Sequence, residues 1–427
     1  MKVAFCTLGC KVNQYESQSM EQALIKRGFE CVGASEEADV YIVNSCTVTA
    51  ESDRKTRQNV RHLRKLHPDA VIVLTGCMPQ AFPEDARLLT QADIVTGNRS
   101  NKQIPDMIDE FFRTRERIVR IAQHENGEKF SGELINDFRE RTRATVKIED
   151  GCNRFCSYCV IPYARGRVRS KPLEDIREEI SSLEKKGFSE IVLVGINLSA
   201  YGTDCGASIC DAVELAASFD GIKRVRLGSL EPDHMTPEVT KRLAECKKLC
   251  PQFHISLQSG CDKTLKRMNR HYTAAEYEEL CTRLRSEFED ATLTTDVMVG
   301  FSGETKEDFE ISRDFVKKIG FEKVHVFPYS RRAGTRAAEF PNVVENAEKE
   351  RRSREMIAAA GEVRHEFLER QIGRTVEVLF EEKLRDGSIQ GYTANYTPVR
   401  IKSGCTHGLR KVKITACGDD WCEGELI

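Results

Sequence analysis

Among the 427 residues stand seventeen cysteines, and six are spaced for shared chemistry. Cys152, Cys156 and Cys159 form a C-x-x-x-C-x-x-C run in GCNRFCSYC. Three thiolates this close can hold three irons of a four-iron cluster and leave the fourth iron open. The competing use is structural zinc, but a closed zinc site needs four ligands, usually with a second pair further on. No His occurs between His124 and His234 and no C-x-x-C pair follows, which favours iron. Cys10, Cys46 and Cys77 form a second set. Each ends a short apolar run: KVAFCTLGC, DVYIVNSC and AVIVLTGC. Singly, each reads as a buried small hydrophobe. Three in the same setting favour shared ligation. The other eleven cysteines, among them Cys205, Cys210, Cys417 and Cys422, lack such a context and read as structural or incidental.

The elements that must position these thiols follow a βα rhythm. Helical spacing runs from Glu16 to Lys26, stopping at Gly28, and from Glu51 to Leu66, closed by Pro68. Apolar runs between helices predict a parallel α/β sheet, with ligands at the carboxyl ends of the strands, where the three cysteines lie. A polar stretch from Gln123 to Arg141 reads as a linker. The rhythm restarts with strands expected at Ala144–Ile148, Glu190–Gly195, Val225–Leu227, Phe253–Leu257, Leu293–Val299 and Lys323–Phe327. Six such units predict a full or partial barrel with chemistry at its C-terminal face. A charged helix from about Val344 to Glu369 leads out. VEVLFEE, IQGYTANYTPVRI and RKVKITAC then predict a small β-barrel. The fold class is α/β, in three domains: 1–122, 139–367 and 368–427.

Composition narrows the classes. With 40% hydrophobic and 31% charged residues the chain can bury real cores, and a net charge of −2 excludes a uniformly basic nucleic-acid binder. No apolar run approaches the roughly 18 residues of a membrane span. MKVAFCTLGCKVNQ lacks the features of a signal peptide. A cytoplasmic protein with reduced cysteines is expected, with no membrane partner.

GCNRFCSYCVIPYARGRVRS resembles the cluster loop of radical S-adenosylmethionine (SAM) enzymes, and more narrowly that of methylthiotransferases. The N-terminal cysteines resemble those of that branch's own domain, and the C-terminal barrel resembles a TRAM domain, which binds RNA. The resemblance implies two [4Fe–4S] clusters, one on Cys152, Cys156 and Cys159, the other on Cys10, Cys46 and Cys77. It implies that SAM on the first is cleaved to a 5′-deoxyadenosyl radical, and that the second holds the sulfur to be methylated and transferred. An electron donor such as flavodoxin or ferredoxin and a sulfur source are then required. Tyr158 in the cluster loop and the family-like strand ends VGIN, SLEP, SLQSG and DVMVGFSGET supply the expected SAM contacts: Gly195, Asn197, Ser229, Glu231, Gln258 and Asp296. Two departures stand out: Ser302 where the family usually has Pro, and RRAGTR, Arg331 to Arg336, in place of a proline-rich turn, which predicts a looser loop.

A nucleic-acid substrate is also suggested. Asp53 to His67 holds six Lys/Arg and one acid, making Arg57, Arg61 and Arg64 candidates for phosphate contact. Gly151 to Lys171 holds five Lys/Arg, no acid, and Phe155, Tyr158 and Tyr163. LGCKVNQYE resembles the branch acting on threonylcarbamoyladenosine, with Lys11, Val12 and Asn13 as markers of substrate class. The implied reaction places a methylthio group on C2 of N6-threonylcarbamoyladenosine at position 37 of tRNA. The rivals are the same chemistry on isopentenyladenosine or a ribosomal-protein aspartate, and a non-catalytic, zinc-containing RNA-binding protein.

Overall fold

A computed structural model describes residues 1–132, 134–135, 142–402, 404 and 408–427. The N-terminal sheet holds β1 (Lys2–Thr7), β2 (Glu30–Val32), β3 (Val40–Ser45), β4 (Val71–Gly76), β5 (Ile94–Thr96) and β6 (Ile118–Arg120) in the order β2-β1-β3-β4-β5-β6. Every pairing is parallel. VYIVNS of β3 and VIVLTG of β4 are buried at every position. A strand covered on both faces reads as a continuous apolar run rather than an alternating one. Helices α1 (Lys11–Lys26), α2 (Ala50–Leu66), α3 (Cys77–Ala81), α4 (Pro83–Arg87) and α5 (Ile104–Thr114) complete the domain. Met20 and Leu24 of α1 and Ile104, Met107 and Ile108 of α5 cover one face, and Val60 and Leu63 of α2 cover the other. Thr49 caps α2 by accepting from the Ser52 N–H at 3.1 Å. Helix α1 starts five residues before the expected Glu16. Its polar first turn hides the start, because Asn13 and Glu16 are buried polar residues rather than a solvent face.

The second domain holds β7 (Arg143–Lys147), β8 (Glu149–Asp150), α6 (Ile161–Arg165), β9 (Arg169–Ser170), α7 (Leu173–Lys185), β10 (Glu190–Val194), α8 (Ile209–Ala217), β11 (Arg224–Leu227), β12 (Ser229–Leu230), α9 (Pro237–Ala244), β13 (Gln252–Ile255), α10 (Asp262–Arg267), α11 (Ala274–Glu287), β14 (Thr292–Val299), α12 (Lys306–Ile319), β15 (Lys323–Pro328) and α13 (Asn346–Glu369). Parallel sheets β11-β10-β7 and β12-β13-β14-β15 follow one another with only Gly228 between β11 and β12, forming a partial barrel. β13 stops short of the expected Leu257. Gln258, just beyond, takes a left-handed conformation with φ +63°.

The C-terminal strands β16 (Thr375–Lys383), β17 (Ile389–Thr393), β18 (Pro398–Ile401), β19 (Gly408–Cys417) and β20 (Cys422–Leu426) close a barrel in the order β16-β17-β18-β20-β19. IQGYTANYTPVRI is two strands rather than one, because the chain turns between Thr393 and Thr397, where the Thr393 N–H donates to the Thr397 carbonyl at 3.1 Å. This barrel docks on the central one through β11. Arg226 donates to the carbonyls of Thr393 and Ala394, each at 2.7 Å, and to Glu190 at 2.6 Å.

Three expectations change. The stretch from Gln123 is not a free tether: Ile135 is fully buried in the central core and its N–H donates to Glu179 at 3.2 Å. Its expected end at Arg141, and the domain start at 139, lie outside the described residues. RRAGTR is pinned by charge instead of proline. The buried Arg332 guanidinium donates to Asp53 (2.5 Å) and Thr47 (2.8 Å), and the Ala337 N–H donates to the Ser157 carbonyl (2.7 Å). Arg64 is committed to the fold: it donates to the carbonyls of Pro68, Ala70 and Gln91 and pairs with Asp93. Arg61 is exposed and Arg57 half-buried. Arg64→Ala is therefore expected to cost about 1–3 kcal/mol, since it orphans acceptors and a carboxylate. Arg61→Ala should stay within about 0.5 kcal/mol. Thermal unfolding of the two variants checks the difference.

Candidate active site

Cys10, Cys46 and Cys77 follow β1, β3 and β4 at the carboxyl edge of the sheet. Close backbone approach brings them together. A Cβ on Gly9 (φ +110°) would lie 2.9 Å from the Cys46 Cβ, and one on Gly76 (φ +98°) 2.4 Å from the Ser45 carbonyl oxygen. Only glycine fits either position. Burial raises the Cys46 thiol, with Cys10 adding; burial pushes Cys77 up to about 12, with Cys46 and Cys10 adding and Arg165 opposing.

Cys152, Cys156 and Cys159 lie on the loop between β8 and α6. A Cβ on Gly151 (φ +90°) would fall 2.0 Å from the Arg167 carbonyl oxygen, so the loop folds tightly against β9. Donors face the sulfurs: Arg154 N–H to Cys152 at 3.5 Å, Ile161 N–H to Cys159 at 3.4 Å, and Arg270 Nη1 to Cys156 at 3.4 Å. Donors of this kind favour thiolate. Burial works against them and pushes Cys152 up to about 12 and Cys159 higher still. Bound metal displaces such protons. Among the described residues no three His, Cys, Asp or Glu side chains are set to share a single ion. An iron–sulfur cluster does not need that, because each thiolate takes a separate iron.

Arg165, the last residue of α6, ties the segment that follows the Cys152–Cys159 loop to the N-terminal triad. Fully buried, it donates through Nε to Cys77 Sγ at 3.2 Å and through both terminal nitrogens to Glu16, one at 3.0 Å. Lys147 donates to Glu16 (2.8 Å) and Asp150 (2.7 Å). Burial opposes ionisation of Glu16 and Asp150, but these cations outweigh it and hold both carboxyls below their usual range. The basic run from Gly151 to Lys171 is thus mostly not a phosphate-binding surface. Arg165, Arg169 and Lys171 are buried, and Arg154 pairs with Asp233. Arg167 is exposed and stacks on Phe155 at 4.5 Å.

Two of the residues expected to meet SAM, Asn197 and Glu231, approach the Cys152–Cys159 loop. Asn197 Nδ2 is 3.9 Å from Cys152 Sγ. Glu231 pairs with Arg270, which also reaches Cys156. Gln258 is tied to Asp296 through its N–H at 2.8 Å. Tyr158 packs edge-on against Phe301. Glu149 was not expected. It accepts from the Asn197 N–H at 2.7 Å, and a Cβ on Gly195 would lie 2.6 Å from its carboxylate. Burial pushes its carboxyl well above the usual range. Asn197 Oδ1, Gln258 Oε1 and Glu149 Oε1 are buried without a partner among the described residues. Buried polar atoms left this way fit a polar ligand.

A cavity of about 870 Å³ runs between the three domains. Cys10 and Lys11 line one wall, Gly195, Ser229 and Asp296 the barrel side, and Tyr392 and Tyr396 the floor. Lys11 is pushed below its usual range, first by burial and then by Arg143 and Arg226, with Tyr396 and Glu190 opposing.

Residues 146–316 match the radical SAM superfamily, and residues 2–97 match "Uncharacterized protein family UPF0004". The fold is similar to that of the radical S-adenosylmethionine methyltransferase TsrM from Kitasatospora setae (TM-score 0.56, 15% identity, covering 77% of this chain and 74% of that one). Barrel, triad and superfamily match define a radical SAM enzyme, which works with a [4Fe–4S] cluster and SAM. Threonylcarbamoyladenosine tRNA methylthiotransferase MtaB of Bacillus subtilis (strain 168) is 35% identical, covering 100% of this chain and 96% of that protein. Its namesake in Aquifex aeolicus (strain VF5) is 37% identical (90% and 94%). The tRNA-2-methylthio-N(6)-dimethylallyladenosine synthase of Pelotomaculum thermopropionicum is 35% identical (91% and 88%). The chain belongs to the radical SAM methylthiotransferase family. Among the described residues no helix is long and apolar enough to cross a membrane.

Breaking the Arg165 contacts should be costly. Arg165→Met leaves Glu16 buried with one cation fewer, and an expected loss of about 3–5 kcal/mol. Because Glu16 and Asp150 are held below their usual range, their stabilisation is present above that range and lost as pH falls through the native values. The gap between wild type and variant in thermal unfolding should therefore narrow in acid.

Proposed function

We propose that this enzyme methylthiolates C2 of N6-threonylcarbamoyladenosine at position 37 of tRNA, in the cytoplasm. The observation that carries the reading is the cavity, which has Cys10 on one wall and Gly195, Ser229 and Asp296 on another. The relatives named for threonylcarbamoyladenosine support the substrate. Cys152, Cys156 and Cys159 hold the cluster that works with SAM, while Asn197, Gln258 and Glu149 offer SAM their unpartnered oxygens. Cys10, Cys46 and Cys77 hold a second [4Fe–4S] cluster that carries the sulfur. When bound, cluster and SAM supply the radical that takes hydrogen from an unactivated carbon. The protein's own part is to hold the base between the two triads and away from water. Lys55, Arg61 and Lys65, exposed on α2, whose first residue lies four positions after Cys46, attract the tRNA backbone. An electron donor such as flavodoxin or ferredoxin and a sulfur source complete the system.

Replacing Cys152, Cys156 and Cys159 by Ala should remove about half the iron and all SAM cleavage, because one of two triads is lost. Replacing Cys10, Cys46 and Cys77 should spare reductive SAM cleavage and end methylthiolation. Iron assay and 5′-deoxyadenosine analysis read both. If the first variant still makes 5′-deoxyadenosine, the assignment of the radical cluster is wrong. Nucleosides of tRNA from a deletion strain test the substrate. Methylthio-threonylcarbamoyladenosine should vanish and its unthiolated form accumulate, while loss of only the isopentenyl product would contradict the reading. Arg61→Glu with Lys65→Glu should weaken tRNA binding and flatten its salt dependence, and unchanged affinity would remove α2 from the interface.

A further inference from the structure

The three residues after Cys10 have different fates. Val12 is buried against Val192 and Val194 of β10. Asn13 is buried and spends its amide on the Ser45 carbonyl at 3.1 Å. Lys11 lines the cavity instead, and its ammonium has no hydrogen bond or ion pair among the described residues. Its cationic neighbours are already engaged. Arg226 is held by Glu190 and two carbonyls, and Arg143 pairs with Glu381 at 2.6 Å. The cavity's His254 contacts Asp296 at 3.3 Å, and Arg364 donates to the Glu322 carbonyl at 3.0 Å. Lys323, on the barrel wall, is a second lining cation without a partner among the described residues. The parallel rings of Tyr392 and Tyr396, 4.6 Å apart, form an aromatic floor.

An unspent ammonium on a cavity wall that also carries Arg226, Lys323 and Arg364 favours an anionic guest. Flat aromatic rings nearby suit a base. The two substrate classes of the relatives differ in this respect: a threonylcarbamoyl group ends in a carboxylate, and a dimethylallyl group is an uncharged hydrocarbon. We propose that Lys11 is a specificity-determining residue that holds the carboxylate of the threonylcarbamoyl group. This rests on the substrate proposed above, and it adds the contact that selects that substrate.

The test pairs a charge on the protein with a charge on the RNA. Anticodon stem-loops carrying either threonylcarbamoyladenosine or its carboxamide are titrated against reconstituted full-length enzyme, and kcat/KM for methylthiolation is measured on both. Wild type should prefer the acid by about 10- to 100-fold, as a charge-assisted hydrogen bond of about 1.5–3 kcal/mol requires. Lys11→Gln should lose that preference by weakening only the acid, and Lys11→Arg should keep most of it. An unchanged acid-to-amide ratio in Lys11→Gln, or equal weakening of both RNAs, would overturn the inference and leave the substrate reading standing. If wild-type enzyme does not methylthiolate the threonylcarbamoyl RNA at all, the substrate reading fails, and this inference with it.

Discussion

The guanidinium of Arg165 is the contact on which the site's geometry depends. It leaves the end of α6, just beyond the cluster loop, and ends, fully buried, on Cys77 of α3 and Glu16 of α1. A buried charge survives only when its partners are in place. The two domains can therefore meet in this register or lose the pairing of Glu16, Asp150 and Lys147 along with it. Two cysteine triads in separate domains keep a fixed separation only if the seam between the domains is rigid, and a planar guanidinium fork with short contacts supplies that better than a flexible apolar seam.

Other charges repeat this arrangement at each remaining seam. Arg332 fixes the loop after β15 to Thr47 and Asp53, just beyond Cys46, while the same loop holds the cluster segment through the Ser157 carbonyl. Arg226 fixes the C-terminal barrel to the floor of the cavity. Each Arg donates to two or more acceptors, so each interface is set in orientation as well as in separation. The cavity between Cys10 and the barrel's strand ends is what these three arginines leave open.

Much of this was legible in the residues. Three cysteines stood out by their spacing and three by their place after apolar runs, and those runs are the partly buried strand β1 and the fully buried strands β3 and β4. β2, β5 and β6 were missed because three residues each carry no period. β20 was missed because CEGEL is largely polar. The basic residues misled most. Arg64 and Arg165 look in sequence like phosphate contacts and Arg332 like part of a loose loop, yet each holds the fold together. Which of several arginines is buried depends on acceptors such as Asp93, Glu16 and Asp53, and nothing in the local sequence says that they are close. Glu149 escaped notice for the same reason, since its surroundings are made by Gly195 and Asn197 from another strand end.

The central claim of the proposed function is that each cysteine triad, one in the N-terminal domain and one in the central barrel, holds its own cluster. Diffraction from crystals of anaerobically reconstituted protein at the iron absorption edge tests it most directly. The proposal predicts two separate peaks of anomalous density, one against Cys152, Cys156 and Cys159 and one against Cys10, Cys46 and Cys77, the latter beside Arg165. A single iron peak, or density that appears only at the zinc edge, would contradict it.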